Sequence, residues 1–236
     1  MKMRISILVV AALMLTLTAC SRNSDHKLDG AISALAKKDY AGALAIIQPL
    51  AKDGNAKAQY NLGKMYLEGT GVDRNATEAA KWYRLAADQG NMDAQYGLGK
   101  LYDNGEGVTK SDEEAVKWLK KAGEQGQVDA QLSLGNKYLS GQGVAQSYDE
   151  TAKWFKLAAD QGNGNSQSNL GVLYAMGNGV PRNDVEAYKW WEIAVARGYE
   201  GAKGNQEALS KRMTETQIAE AKKLAAAWKP TSAVKK

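Results

Sequence analysis

The chain has 236 residues, of which 44% are hydrophobic and 24% charged, with 24 glycines and only 3 prolines. This apolar content excludes an intrinsically disordered chain, and the scarcity of proline excludes collagen-like and proline-rich proteins. The formal net charge of +5 is small for this length, so charge gives no indication of nucleic-acid binding.

The first residues have the pattern of a secretory signal peptide. Lys2 and Arg4 form a short positive segment, and residues 5–17 are almost entirely apolar. This apolar run is shorter than the about 20 residues that a membrane-spanning helix needs. We therefore predict that residues 1–19 are removed on export, which leaves 29 basic residues against 26 acidic ones.

Cys20 is predicted to carry a lipid. It follows Leu-Thr-Ala at 17–19, which resembles a bacterial lipobox, and it is the only cysteine in the sequence. A lone cysteine cannot form an internal disulfide in an exported protein, whereas lipidation gives its thiol a role. The alternative is an ordinary signal peptide that happens to end in cysteine. Ser21 is typical of an outer-membrane address, so we expect a lipidated tether over 20–27 and a protein that faces the periplasm.

A 36-residue repeat organises most of the chain. Four copies align without a gap, at residues 55–90, 91–126, 127–162 and 163–198. Positions within a copy are numbered from 1 to 36. Positions 4, 5, 8, 9 and 12 recur and lie on one arc of a first helix, helix A. Position 9 is always glycine, which predicts the close approach of another helix. These glycines are Gly63, Gly99, Gly135 and Gly171.

Glycines and capping residues predict where each helix ends and the next begins. Position 15 is glycine in every copy, which suits the left-handed residue that ends a helix. Position 21 is Asn or Ser and position 24 is Glu, the capping-box pattern at the start of a second helix, helix B. A tryptophan recurs at position 28, which indicates packing between repeats rather than a ligand groove. These tryptophans are Trp82, Trp118, Trp154 and Trp190.

Degenerate helices flank the repeats. Residues 28–54 have the pattern of a capping helix pair, and residues 199–236 begin an incomplete copy that continues with a capping box at Thr214. A single helix pair cannot bury its apolar face alone, but stacked pairs can. The sequence therefore predicts an all-α fold, a right-handed α-solenoid superhelix of helix-turn-helix repeats with roughly 12 helices.

The pattern A-Q-x-x-L-G-x-x-Y-x-x-G-x-G-V, followed by E-x-x-K-W and A-x-x-x-G, resembles the Sel-one-like repeat family, relatives of tetratricopeptide repeats. The resemblance covers 55–198 strongly and both flanks weakly. It implies a protein-binding adaptor anchored in the envelope, because family members act mainly as adaptors. Some bacterial lipoproteins of the family are immunity proteins against type VI secretion phospholipase effectors, which gives a second hypothesis. A branch that binds β-lactams depends on cysteines inside the repeats, which this chain lacks.

The sequence offers few groups for catalysis, and we predict that the protein is not an enzyme. Its single histidine, His26, falls in the tether, where we expect a linker residue and not a member of a triad. No His or Cys cluster predicts a metal site, and no phosphate or dinucleotide motif predicts a cofactor. A cell-wall ligand binder or a hydrolase is a third hypothesis, although a hydrolase needs a nucleophile beside a base.

The partner is predicted to bind helix A. In tetratricopeptide-like superhelices helix A lines the concave face, and positions 6, 10, 13 and 14 vary between copies and lie opposite the recurrent arc. We expect these positions to line a groove for a partner protein, since exposed Tyr and Leu beside Lys are typical of interfaces. The alternative is that their variation marks unconstrained surface. The predicted contact residues are Tyr60, Lys64, Leu67, Tyr96, Lys100, Leu132, Asn136, Leu139 and Met176.

Overall fold

The computed structural model describes residues 26–231, so residues 1–25, which include Cys20 and the predicted signal peptide, and residues 232–236 lie outside it. The described chain forms twelve α-helices, one 3₁₀ turn and no strand, which confirms the predicted all-α repeat architecture. None of these helices is both long enough and apolar enough to cross a bilayer. The helices are α1 (26–36), α2 (Tyr40–Lys52), α3 (Ala56–Glu68), α4 (Ala76–Asp88), α5 (Met92–Asn104), α6 (Asp112–Glu124), α7 (Val128–Ser140), α8 (Tyr148–Asp160), α9 (Gly164–Met176), α10 (Asp184–Ala196), α11 (Lys203–Ser210) and α12 (Glu215–Ala227), and the 3₁₀ turn is Glu200–Ala202.

The chain divides into two compact units, the first ending at Ala94 and the second beginning at Gln95. In the first unit α2 packs on α3 and α3 packs on α4. Its core contains Leu28, Ile47 and Leu62, each at most 2% exposed. The helix α1 already includes residues 26 and 27, which were predicted to belong to the tether, but both are exposed and the first buried residue is Leu28.

In the second unit each helix likewise packs on the next, from α6 through to α10. Trp154 of the third repeat lies in one buried cluster with Leu119 of the second repeat and Leu134 of its own. Trp190 similarly joins Phe155 of the preceding repeat. The prediction that the recurrent tryptophans pack between repeats is confirmed at both positions.

The glycine at position 9 of helix A lies beneath the side chain at position 29 of helix B. A Cβ atom on Gly63 would lie 2.6 Å from Cδ1 of Tyr83, and one on Gly171 would lie 2.5 Å from Nε1 of Trp191. The indole N–H of Trp191 also donates to the carbonyl of Ser168 at 2.9 Å. The two helices of a repeat can approach this closely because position 9 has no side chain, as the sequence predicted.

Each helix B begins with half of the predicted capping box. The hydroxyl of Ser147 accepts a hydrogen bond from the backbone N–H of Glu150 at 3.3 Å, and all four repeats have this bond. The Glu150 carboxylate instead accepts from Lys153 at 3.1 Å and from the indole of Trp154 at 3.0 Å. The reciprocal bond is not needed, because the backbone N–H of Ser147 already donates to the carbonyl of Tyr138 at 3.0 Å.

A buried glutamine at position 5 connects three backbone segments in the second unit. Gln131 Nε2 donates to the carbonyl of Gly123 at 2.9 Å, and its Oε1 accepts from Gln161 Nε2 at 2.8 Å. Gln161 occupies position 35, near the end of helix B. The same glutamine pair joins Gln59 to Gln89 and Gln95 to Gln125, each at 2.7 Å.

Replacing Gln131 by leucine is expected to lower the free energy of unfolding by about 1–3 kcal/mol, because the Gly123 carbonyl and the Gln161 amide each lose one buried hydrogen bond. Urea denaturation followed by circular dichroism measures the change. Asn136→Leu, an exposed substitution on the same helix, serves as control and should shift stability by less than about 0.5 kcal/mol. Equal effects of the two variants would show that the glutamine pair does not stabilise the repeat.

The last two helices close the second unit. The helix α12 begins with a complete reciprocal capping box between Thr214 and Gln217, as the sequence predicted, and it packs on α10. After Pro230, the backbone N–H of Thr231 donates to the carbonyl of Asp160 at 2.8 Å, at the end of α8. The chain beyond α12 is therefore held against the third repeat.

Candidate protein-binding surface

Position 6 of helix A is less open than the sequence suggested. Tyr60 stacks on Tyr83 of helix B with ring centroids 5.6 Å apart. Tyr96 and Leu132 are also half-buried and pack against core clusters of the second unit. Positions 6 and 9 are one helical turn apart, so the position-29 side chain that covers the glycine also reaches position 6. These three residues therefore present one edge to solvent and contribute to helix pairing.

The two tyrosines remain uncharged at neutral pH. Burial raises the pKa of Tyr60, and the carboxylates of Asp93 and Glu68 raise it further. Burial likewise raises the pKa of Tyr96, with a contribution from Asp129. Both hydroxyls can therefore exchange hydrogen bonds with a partner, but neither supplies a phenolate that could act as a base.

Position 10 contributes polar side chains. Lys64 and Asn136 are exposed, and Lys64 Nζ lies 3.8 Å from a carboxylate oxygen of Glu68. An exposed ion pair of this kind adds little stability, so Lys64 stays available to another molecule. Lys100 is half-buried and donates to Asp103 at 3.1 Å.

The last turns of two A helices expose apolar side chains. Leu139 at the end of α7 is 37% exposed, and Met176 at the end of α9 is 66% exposed, more than any other large hydrophobic residue in the described chain. In the first unit, Leu67 at the corresponding turn is half-buried. Of the nine predicted contact residues, Leu139 and Met176 therefore offer the most apolar area to a partner.

A buried charge cluster in the second unit was missed by sequence reasoning. Lys137 occupies position 11 of helix A, where the other repeats have Met or Leu, and its side chain is only 7% exposed. Its Nζ donates to the carboxylates of Asp103 and, at 2.5 Å, Asp112. The available signal was a single lysine at an otherwise apolar recurrent position.

The ionised forms of this cluster stabilise one another. Burial alone would raise the pKa of Asp103, but hydrogen bonds from Lys137 and Lys100 outweigh it and hold that pKa below its usual range. Burial alone would lower the pKa of Lys137, but Asp103 and Asp112 raise it above its usual value. The group is thus a structural ion-pair network.

The described residues contain few groups that could bind a metal ion or act in acid–base catalysis. Within 26–231 no group of three or more His, Cys, Asp or Glu side chains could hold a metal ion. His26 is an exposed residue of α1. The recurrent Glu and Lys of helix B form ion pairs one turn apart, which are exposed in the first three repeats, as for Glu78 and Lys81 at 2.5 Å, and half-buried for Glu186 and Lys189 in the fourth.

Comparison with known proteins identifies the repeat. The model of the Sel1 repeat matches residues 56–91, 93–127, 128–163 and 164–199. A Sel1 repeat protein from Oxalobacter formigenes is 29% identical, with a TM-score of 0.75 and 86% of each chain covered. A protective antigen of uropathogenic Escherichia coli with an SLR fold is also 29% identical, with a TM-score of 0.56 over 92% of this chain and 59% of that chain. No curated protein matches the sequence.

An immunity protein from Pseudomonas aeruginosa has the same fold, with 22% identity and a TM-score of 0.50 over 86% of this chain and 81% of that chain. At this identity the likeness shows the fold alone. The four matched repeats cover more than half of the sequence, and their helix pairs have the glycine and tryptophan packing described above. Sel1 repeats are in general non-enzymatic scaffolds that suggest protein–protein interaction, and this chain belongs to the Sel1 repeat family.

Proposed function

We propose that the protein is an adaptor that binds another protein through exposed helix A residues of its repeats. The observation that carries this proposal is the exposure of Leu139 and Met176 at the ends of α7 and α9. Both helices also contribute buried residues to the core clusters, so their exposed side chains project from a backbone that is fixed by packing.

The physical basis of binding would be preorganisation. Each A helix in the second unit that bears an exposed apolar residue is capped at its start and ended by a left-handed glycine, Gly141 or Gly177. A partner therefore meets helices that are already ordered, and little conformational entropy opposes association. The flexible thioether of Met176 can adapt to the shape of an apolar pocket on that partner.

Photocrosslinking tests the surface directly. With p-benzoylphenylalanine in place of Leu139 or Met176, we expect a covalent adduct with one partner protein in intact cells, identified by mass spectrometry. The double variant Leu139→Ser/Met176→Ser should then weaken binding of that partner by about tenfold or more, since exposed apolar anchors at an interface typically contribute about 1–2 kcal/mol.

Leu157 provides the matched control, because it is a 41% exposed leucine on α8, a B helix. The same probe at Leu157 should give no adduct with this partner, and Leu157→Ser should leave the affinity within about twofold. If the probe at Leu157 crosslinks the partner equally well, or if the double variant binds the partner with unchanged affinity, the proposal that helix A residues form the binding surface is wrong.

We propose further that Cys20 anchors the protein by lipid to the outer membrane, facing the periplasm. The support is the lipobox-like sequence and the lone cysteine. Metabolic labelling with a radioactive fatty acid should mark the wild type and not Cys20→Ser, and the variant should leave the membrane fraction. A labelled Cys20→Ser protein would contradict the anchor.

A second candidate is an immunity protein whose partner is a secreted phospholipase effector. The support is the family resemblance and the shared fold of the Pseudomonas aeruginosa immunity protein. Coexpression with the product of the neighbouring gene should give a complex in gel filtration and protection from its toxicity. Failure of both would remove this candidate while leaving the adaptor proposal to the crosslinking experiment.

A further inference from the structure

We infer that the second unit carries a separate small-molecule site, a pocket for a carboxylic acid with an apolar body. A cavity of about 350 Å³ lies between α10 and the segment from α12 to Pro230. This volume is at the lower end of the range of about 300–1,000 Å³ that is typical of ligand pockets, so a single small molecule fits it. The cavity lies beside a B helix and the C-terminal helix, away from the A helix residues proposed above.

The walls of the cavity are apolar and helical. They include Ile193 of α10, Ala225 of α12 and the side chains of Trp228 and Pro230. The carbonyl of Ile193 accepts from the N–H of Arg197, and the carbonyl of Ala225 accepts from that of Trp228. Because these backbone groups are engaged, a peptide would find few partners for its own amides here. The walls favour an aliphatic body without peptide groups.

The rim of the cavity is cationic. Arg197 and Lys222 both line it, and within residues 26–231 neither forms an ion pair with a carboxylate. The guanidinium of Arg197 lies 5.5 Å from the centre of the Trp228 ring. Glu192, the only carboxylate that lines the cavity, already accepts a hydrogen bond from Gln206. An apolar cavity with two unpaired cations at its edge is complementary to one anionic group on an apolar ligand.

Arg197 replaces a glutamine that would satisfy a buried polar atom. The other three repeats have glutamine at this position, 35, where it donates to the buried glutamine at position 5. In the last repeat Gln167 is fully buried and its Nε2 donates to the carbonyl of Ala159 at 3.1 Å. Its Oε1, however, accepts no hydrogen bond from the described residues. A residue that breaks a local rule in this way is typical of a functional position.

The probe for this site is decanoate, which has one carboxylate on an unbranched apolar chain. Isothermal titration calorimetry below micelle-forming concentrations should show one decanoate bound per chain. Decyltrimethylammonium, a cation on a chain of the same length, should not bind. Equal binding of the two amphiphiles would overturn the proposal, since the rim charge would then play no part.

The variant Arg197→Gln separates binding from folding. It should weaken decanoate binding by about tenfold or more, because a charged hydrogen bond is lost. It should also raise the thermal midpoint, because the glutamine restores the pair with Gln167 that the other repeats have. Arg182→Gln, at an exposed arginine outside the cavity, should leave decanoate binding unchanged.

A second variant tests the cavity itself. Ala226 is exposed and lines the cavity, so Ala226→Trp should fill it without disturbing the core. We expect decanoate binding to be lost in Ala226→Trp while the thermal midpoint changes little. Retained binding in this variant, or unchanged affinity in Arg197→Gln, would overturn the site.

Discussion

Gly135→Ala is expected to lower the free energy of unfolding by about 1–3 kcal/mol, although alanine is the better helix former. The new Cβ would come closer than 3.0 Å to Cδ1 and Cε1 of Phe155. That ring is 1% exposed and enclosed by core, so it cannot move away cheaply. Overpacking therefore outweighs the gain of up to about 1 kcal/mol in helix propensity. Urea denaturation followed by far-ultraviolet circular dichroism measures the loss.

Gly204→Ala is the matched control for this prediction. Gly204 lies in α11, has a helical backbone, and no atom lies within 4 Å of a Cβ built on it. There alanine should raise stability by a few tenths to about 1 kcal/mol. The double variant Gly135→Ala/Phe155→Leu should recover part of the loss, because the second repeat places Leu119 over its glycine. A stabilising effect of Gly135→Ala alone would refute the packing role of position 9.

Asp103→Ala/Asp112→Ala is expected to destabilise the second unit by about 2–3 kcal/mol. The ammonium of Lys137 would lose both carboxylates while its side chain is only 7% exposed, and an unpaired buried charge is costly. The loss stays below the largest values known for buried pairs, because the two aspartates are 21% and 31% exposed. Chemical denaturation monitored by tryptophan fluorescence gives the change in stability.

The comparison variant replaces the buried lysine and Asp103, the less exposed of its two aspartate partners, by apolar residues. In Lys137→Leu/Asp103→Leu each residue is replaced by the leucine found at the same position of the following repeat. Position 11 is Lys137 in the third repeat and Leu173 in the fourth, and position 13 is Asp103 in the second repeat and Leu139 in the third. Replacing a buried ion pair by apolar residues is often neutral or stabilising, so this variant should match or exceed the wild type. If it is as unstable as the double alanine variant, the network itself and not the unpaired charge determines stability.

The same cluster gives a stability difference that depends on pH. The pKa of Asp103 lies below its ordinary value of 3.8, so its contribution is present above that pH and is lost as the pH falls through the lower folded-state value. The pKa of Lys137 lies above its ordinary value of 10.5, so its contribution is present below that pH and is lost as the pH rises through the higher value. The stability of the wild type relative to Lys137→Leu/Asp103→Leu should therefore be flat between these limits and fall outside them. A change centred near neutral pH would contradict this assignment.

The resemblance and the repeat period predicted the family and the fold, and the caps show why such a prediction works. Ser147 caps the backbone N–H of a residue three positions away, and Gly141 ends its helix through its own positive φ of 73°. Both effects are local, so a residue type and its spacing are enough to predict them. The exposure of the candidate contact residues was harder to predict. The hydrophobic pattern of one helix does not show which of its turns a second helix covers.

What the sequence by itself determined is the 36-residue unit, its two helices and the glycine that lets them meet, since these follow from neighbours along the chain. Only the tertiary structure decided that Tyr60 lies against Tyr83, that Lys137 is enclosed by two carboxylates, and that Arg197 faces a cavity. In each case the partner comes from another helix, over 20 residues away in sequence. Exposure and charge environment are properties of what packs on a residue, and no local pattern contains that information.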